Sequence, residues 1–177
     1  MYTLNLSSGE RAVRKSLITV AVWTEGNTSK AAILGSRTPE SSIKLGNADS
    51  VTDILGCTRT DVDLSAPVQS FNPAYVLGGD ELSAFLARSV LIGSGRALSG
   101  AFDIYVVAAF LTETAGDTVK YFTVKHAGCT IVPGEMGGGE YVALPFDVHY
   151  SGDITKGYVT DLSGSALLNI AANFTEE

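Results

Sequence analysis

The chain has 177 residues, of which 45% are hydrophobic and 18% are charged. This length is typical of one domain, and the composition excludes a disordered chain, which would be poor in apolar and rich in charged residues. The 12 basic and 19 acidic residues give a net charge of −7, which argues against a protein that grips nucleic-acid phosphates, since such a protein needs a basic surface.

The charge is divided unevenly along the chain. Residues 1–100 carry 9 basic and 9 acidic side chains, whereas residues 101–177 carry 3 basic and 10 acidic ones. The longest unbroken apolar run, residues 104–111, has 8 residues, while a helix that spans a bilayer needs about 20. We therefore expect no membrane insertion.

The N-terminal part of the chain predicts short strands separated by polar loops. Residues 17–23 (LITVAVW) are rich in β-branched and aromatic side chains, which is typical of a strand. Five segments follow: a weaker strand at 30–34, a polar extended loop at 35–50, strand candidates at 51–55 and 57–62, and an extended stretch at 67–77.

One segment has the spacing of a helix. Its apolar residues recur at i, i+3, i+4 and i+8 and form one stripe, made of Leu82, Phe85, Leu86 and Val90. Asp80 precedes the stripe in the position of an N-cap, and Gly93 and Gly95 follow it as a stop signal. The pattern predicts an amphipathic helix of roughly three to four turns that docks on a sheet.

The strand predicted at residues 102–111 (FDIYVVAAFL) is apolar on both faces. A strand of this kind is covered on both sides, and in a small β protein the second cover is either a helix or another subunit. We therefore weigh burial in the protein's own core against a subunit interface, for which the candidate residues are Phe102, Ile104, Tyr105, Val106 and Val107 in the strand and Leu82, Phe85 and Leu86 in the helix.

The C-terminal part predicts further strands around a glycine-rich loop. Strand candidates lie at 119–125, 129–132, 141–150 and 158–162, followed by a short apolar segment at 166–170 that we also group with the strands. In 141–150 the alternation directs Val142, Leu144 and Phe146 into the core. The loop at 133–140 is expected to be flexible and to serve in assembly, through Gly134, Gly137, Gly138 and Gly139.

These elements predict a mainly β protein, a β-sandwich or barrel with one flanking α-helix. We expect a single domain that covers residues 1–177, with an N-terminal arm and loop at about 1–50 and a core at about 51–177.

No enzyme signature is present in the sequence. The two cysteines and two histidines offer four potential zinc ligands, Cys57, His126, Cys129 and His149. Zinc sites usually show tightly paired ligands, whereas His126 and Cys129 form one loose pair that straddles a glycine. We expect no catalytic residue, no metal and no cofactor, and we keep an esterase-like or metal-dependent hydrolase as the third hypothesis.

The order of several segments resembles a known family. The chain reads TDILGCTRTD at 52–61, FNPAYVLGGDELSAFL at 71–86, FDIYVVAAFL at 102–111 and HAGCTIVPGEMGGGEYVALPFDVHYSGDITKG at 126–157. This succession resembles the major tail (tail tube) proteins of long, non-contractile-tailed bacteriophages. The likeness extends from about residue 50 to the C-terminus, and the N-terminal 48 residues match less clearly.

The resemblance implies a structural protein of the virion. Six copies close into a ring, and the rings stack into a hollow tube through which DNA passes during ejection. It also implies assembly in the host cytoplasm around a tape-measure protein, between the tail-tip proteins and a tail terminator. The net charge of −7 suits a lumen that does not hold DNA. The alternative function is a monomeric ligand-binding β-barrel with an apolar pocket.

Two segments are expected to be mobile in the free subunit and to become ordered when rings stack. They are residues 24–50 and 133–140, which combine Gly, Ser, Asn and Pro with neighbouring apolar strands.

Overall fold

The structure, a computed structural model, describes residues 1–35, 38, 41–44, 47–52, 54–63 and 67–177. Three helices lie among the strands: α1 (Glu81–Leu91), α2 (Gly164–Leu168) and α3 (Ile170–Asn173). The strands, in chain order, are β1 (Thr3–Leu4), β2 (Leu17–Glu25), β3 (Thr28–Ile33), β4 (Ile43–Lys44), β5 (Asn47–Thr52), β6 (Thr58–Asp63), β7 (Val68–Phe71), β8 (Phe102–Ala115), β9 (Thr118–Pro133), β10 (Phe146–His149), β11 (Ile154–Val159) and β12 (Thr175–Glu176).

Two antiparallel sheets share the long strand β9. The first sheet has the order β3-β2-β8-β9-β11, with the short strands β1 and β12 added to β8 and β11. The second sheet has the order β9-β10-β7-β4. Between its pairings with the two sheets, β9 contains Gly128 at a φ of +70°, a backbone conformation that favours glycine. The predicted mainly β fold, two packed sheets with a flanking helix, is confirmed.

The first sheet has a hydrophobic core on each face. The larger core lies between the two sheets and α1, and it includes Ala21, Trp23, Phe71, Leu82, Leu86, Phe102, Ile104, Ile131 and Val148. The smaller core lies on the opposite face beneath α2 and α3, and it includes Val20, Tyr105, Val107, Val159, Leu167 and Ile170. The chain therefore has three layers, with the first sheet in the middle.

Strand β8 supplies both cores. Phe102 and Ile104 belong to the larger core and Tyr105 and Val107 to the smaller one, and each of these side chains is at most 3% exposed. Burial of apolar area at about 25 cal/mol per Å² is the main stabilising contribution of such residues. The protein's own layers thus cover the strand on both faces.

The helices over the smaller core differ from the structure predicted for residues 166–170. We predicted a short apolar strand, but α2 and α3 occupy this region, and Ala166, Leu167 and Ile170 are buried. Leu167 of α2 and Ile170 of α3 both pack into the smaller core, so each short helix directs one large apolar side chain onto the sheet. Ser163 caps α2 by accepting a hydrogen bond from the amide of Ala166.

The predicted helix is confirmed as α1. The Asp80 carboxylate accepts hydrogen bonds from the amides of Leu82 and Ser83, as an N-cap does. The exposed Arg88 donates to Glu25 over 2.5 Å, which links α1 to the end of β2. Lys30 bonds the same carboxylate at 3.0 Å, and this hydrogen bond is the largest cause that lowers the pKa of Glu25.

One predicted boundary is wrong, and it lies in the N-terminal part. The strands predicted at 17–23 and 30–34 correspond to β2 and β3, and β2 pairs with β8 in the middle of the first sheet. Within the loop predicted at 35–50, residues 43–44 form β4 and β5 begins at Asn47, while residues 36, 37, 39, 40, 45 and 46 lie outside the described part of the chain.

The strand predicted at 141–150 is shorter than the alternation indicated. It begins at Phe146, after Pro145, and Val142 is 52% exposed instead of facing the core. Proline lacks the amide that a strand pairing needs, which explains the late start. Leu144 and Phe146 are buried as predicted.

We predict that the cover over the smaller core is essential to stability. Leu167→Ala should lower the free energy of unfolding by about 2–5 kcal/mol, because it removes a buried side chain and leaves a cavity. The matched control is Leu168→Ala on the next residue, which is 51% exposed and should change stability by less than about 1 kcal/mol. Urea denaturation of both variants measures the difference, and equal losses would contradict this layer's role.

Candidate assembly surface

The predicted interface residues are nearly all part of the protein's own core. Besides the four buried residues of β8, Leu82 and Leu86 of α1 are 4% and 1% exposed. Phe85 and Val106 are partly buried against the larger core. A side chain without exposed surface in the single chain buries nothing further on association. An interface between copies therefore needs other residues.

A hairpin outside both sheets offers the first such surface. Strands β5 and β6 pair only with each other among the described residues, in register from Asn47 opposite Asp63 to Thr52 opposite Thr58. The turn carries Ile54, which is fully exposed, and Leu55, which is 82% exposed. A two-stranded hairpin is marginally stable in water by itself, and its tip presents two large apolar side chains to solvent.

The ends of the first sheet offer a second surface. Strand β3 pairs only with β2 among the described residues, and α1 and α2 contact it. At the other end, β12 pairs with Gly157 and Tyr158 of β11, and the amide of Glu177 donates to the Lys156 carbonyl, while Ile154 is 62% exposed. Edge strands with unpaired backbone groups are templates for pairing with another chain. The first sheet therefore ends in two different edges, β3 and a β11 that β12 covers in part.

The glycine-rich loop is anchored at several points. The amide of Gly134 donates to the Pro145 carbonyl over 2.7 Å, and Gly137 and Ala143 exchange hydrogen bonds of 3.0 and 2.7 Å. Met136 packs against the larger core. Gly138 has a φ of +151°, and a Cβ at this position would collide with the Tyr141 carbonyl oxygen. The loop thus has a defined conformation in the subunit; its expected ordering on stacking stays a prediction.

Exposed aromatic and acidic side chains adjoin this loop. Tyr141 and Val142 are 67% and 52% exposed, and the ring of Tyr141 lies edge-on to that of Tyr75 with centroids 6.4 Å apart. Glu135 and Glu140 are exposed and have no cation within ion-pair distance among the described residues. The loop is therefore an acidic surface with apolar side chains beside the carboxylates.

A buried polar network joins the two sheets. Gln69 on β7 is fully buried, and its Oε1 accepts hydrogen bonds from Thr19 Oγ1 at 3.2 Å and from the Tyr150 hydroxyl at 2.5 Å. Its Nε2 donates to Ser41 Oγ at 3.0 Å. Burial raises the pKa of Tyr150, which keeps this phenol protonated. The network fixes β7 against β2, since a buried amide is costly without its partners.

The four potential zinc ligands are dispersed. Cys57 is exposed on the hairpin, whereas Cys129 is buried and its thiol donates to the His126 carbonyl at 3.4 Å. The His126 ring packs against Tyr150 with centroids 4.8 Å apart, and burial lowers the pKa of this histidine. His149 alternates with the buried Val148 on the opposite face of β10. Within the described ranges, no group of three metal-binding side chains is found.

The sequence interpretation missed several of these exposed residues. Ile54 and Leu55 were assigned to a strand, although the Gly56 that follows them is a turn signal. Tyr141 and Val142 were included in a strand that in fact begins after Pro145. The exposed basic residues Arg14 and Lys15, which precede β2, received no functional interpretation from the sequence.

Comparisons with known proteins leave the family open. No protein-family model matches the chain, and a comparison with curated proteins likewise finds no match. In the part of the chain that the structure describes, no helix has both the length and the apolar character required to cross a membrane.

We predict that the loop conformation depends on Gly138. Gly138→Ala should cost about 1–3 kcal/mol of stability, because alanine is strained at this φ and its Cβ meets a backbone carbonyl. Hydrogen exchange should show that the amides of Gly137 and Ala143 lose protection.

The control is Gly139→Ala, where an added Cβ has nothing within 4 Å. It should change stability by less than about 1 kcal/mol. Unchanged protection in Gly138→Ala would show that this loop conformation is not fixed by the glycine.

Proposed function

We propose that the protein is a structural subunit that assembles with copies of itself into hexameric rings, and that these rings stack into the hollow tail tube of a long, non-contractile-tailed bacteriophage. The tube is the conduit for DNA during ejection. The observation that carries this proposal is the hairpin of β5 and β6, which lies outside both sheets and ends in exposed Ile54 and Leu55.

The hairpin suits a contact between stacked rings. Exposed Ile54 and Leu55 are unfavourable in water, and their burial against another copy would contribute about 1.5–3 kcal/mol for each side chain. Among the described residues the hairpin pairs with neither sheet, so it is able to enter a neighbour without breaking a strand pairing of either sheet. On the neighbouring copy, the hairpin would contact a surface other than that copy's own hairpin. A contact between two different surfaces of the same chain is heterologous, and contacts of this kind generate filaments.

The open sheet edges suit a contact within a ring. The edge at β3 and the edge at β11 belong to opposite ends of one sheet. If β3 of one copy lies beside the part of β11 that β12 leaves uncovered in the next, the first sheets continue from subunit to subunit, and the contact is head-to-tail. Rotation then closes the row into a ring and leaves neither of these two edges free. Six copies is the number that the family resemblance implies.

The charge of the chain agrees with passage of DNA without retention. A net charge of −7 repels phosphates, so a lumen of this sign does not arrest the DNA. DNA is therefore a partner only in transit. The remaining partners in this proposal are the tape-measure protein, the tail-tip proteins and the tail terminator, with assembly in the host cytoplasm and a final location in the virion.

Assembly of the purified chain tests this proposal. Light scattering at increasing concentration, combined with negative-stain electron microscopy, should reveal hollow tubes or six-fold rings, either spontaneously or after addition of a tail-tip complex of the same phage. Single rings that never extend would instead indicate a tail terminator. A strictly monomeric protein under both conditions would contradict the proposal and favour the ligand-binding β-barrel.

We predict that the hairpin tip is required for stacking. Ile54→Asp should raise the concentration needed for tubes by about tenfold or more, because it places a charge in an interface that must lose its water. The matched control is Leu4→Asp, a change at another exposed leucine, in β1, away from the hairpin and from both edges of the first sheet. Circular dichroism should show both variants folded, and normal tubes from Ile54→Asp would contradict this role of the hairpin.

A further inference from the structure

A cleft with an apolar floor and a basic rim lies where β2 begins and β3 ends. It has a volume of about 320 Å³, and its floor includes Ile18, Ile33 and Leu34. Arg14 and Lys15 border it and are exposed. This volume is at the lower end of the range for ligand pockets, about 300–1,000 Å³, which suits one or two side chains of a protein partner.

The cations at the rim have no ion pair with any described acidic residue. Arg14 donates from Nε to the Ser41 carbonyl at 2.9 Å and from Nη1 to the Leu17 carbonyl at 2.6 Å. These bonds hold the guanidinium in place without neutralising its charge. Across the described ranges, no carboxylate lies within ion-pair distance of Arg11, Arg14 or Lys15. Two basic side chains, Arg14 and Lys15, thus border the cleft with no ion-pair partner in the part of the chain that the structure describes.

The glycine-rich loop has the complementary properties. It presents two exposed carboxylates, Glu135 and Glu140, beside the exposed side chains of Tyr141 and Val142. The cleft thus has an apolar floor and a positively charged rim, and the loop has apolar side chains and negative charge. Such matching of opposite charges steers association and selects the partner.

We propose that the loop of residues 135–142 in one copy docks into the cleft of the next copy. Tyr141 and Val142 cover the apolar floor, and Glu140 pairs with the rim at Lys15. The contact joins two different surfaces of the same chain, so it is heterologous and propagates head-to-tail. This inference rests on the proposed function and names a lateral contact by which a ring would be built.

A charge exchange between Lys15 and Glu140 tests the contact. Lys15→Glu is preferable to a change at Arg14, because Arg14 hydrogen-bonds the backbone and its loss would disturb β2. In Lys15→Glu two carboxylates meet at the contact, and in Glu140→Lys two ammonium groups meet. Each variant alone should therefore need at least about tenfold more protein to assemble at low salt, where charge is least screened.

An equimolar mixture of the two variants is the decisive measurement. In alternating order every contact joins opposite charges, because the two introduced side chains meet at one contact and the natural Lys15 and Glu140 meet at the next. The mixture should assemble within about threefold of the natural protein's threshold, as should the double variant, since opposite charges are again paired. Lys44→Glu, another exposed lysine, serves as the control and should assemble normally.

The outcomes separate this inference from the function on which it rests. Tubes of normal threshold from both single variants would overturn the loop-to-cleft contact and leave the tube proposal intact. Impaired single variants that the mixture does not rescue would also overturn the contact. Absence of assembly in every sample, natural protein included and with tail-tip complex added, would overturn both.

Discussion

The burial of strand β8 on both faces is the constraint on which the architecture depends. This strand has Phe102 and Ile104 on one face and Tyr105 and Val107 on the other. Its sheet must therefore be covered on both faces, because either face would otherwise expose apolar side chains to water. The chain meets this constraint with two layers of different origin: the second sheet and α1 on one side, and α2 and α3 on the other. All four side chains are buried within the single chain.

This internal cover bears on where copies would meet in the proposed assembly. Because the most apolar strand is already covered, the proposed contacts involve what the layers leave outside: the hairpin of β5 and β6, the two edges of the first sheet, and the loop of residues 135–142 with the cleft beside Arg14 and Lys15. These surfaces are separate from the two cores. Under the proposal, substitutions at them would impair assembly and leave the fold intact, which makes the proposed function accessible to point substitutions.

Features fixed by local chemistry were predictable from the sequence. The spacing of Leu82, Leu86 and their neighbours and the position of Asp80 define α1, because a helix stripe and its cap are both local patterns. The apolar content of both faces of β8 was equally visible. The sequence did not reveal that helices cover the second face of β8, because residues 166–170 form a short apolar segment that fits a buried strand or a helix equally well.

The assembly surface was harder to predict, because exposure is a property of the whole fold. The alternation that places Leu144 in the core extends in sequence to Val142, but the strand begins only after Pro145. Likewise, Gly56 signals a turn, but the sequence does not show that Ile54 and Leu55 before it already lie in that turn and not in the strand. The cleft beside Arg14 and the loop of residues 135–142 come from distant parts of the sequence. Their opposite charges and exposed apolar groups can be matched only when the burial and the ion pairs of both segments are known.

Hydrogen exchange of the chain before and after assembly tests the central claim most directly. The account predicts that amides of β8 are protected equally in both states, because this strand is already buried in the subunit. New protection should appear in the hairpin of β5 and β6, along the edge strand β3 and in the loop of residues 135–142. Protection gained mainly in β8, with no change in the hairpin and the loop, would contradict the account.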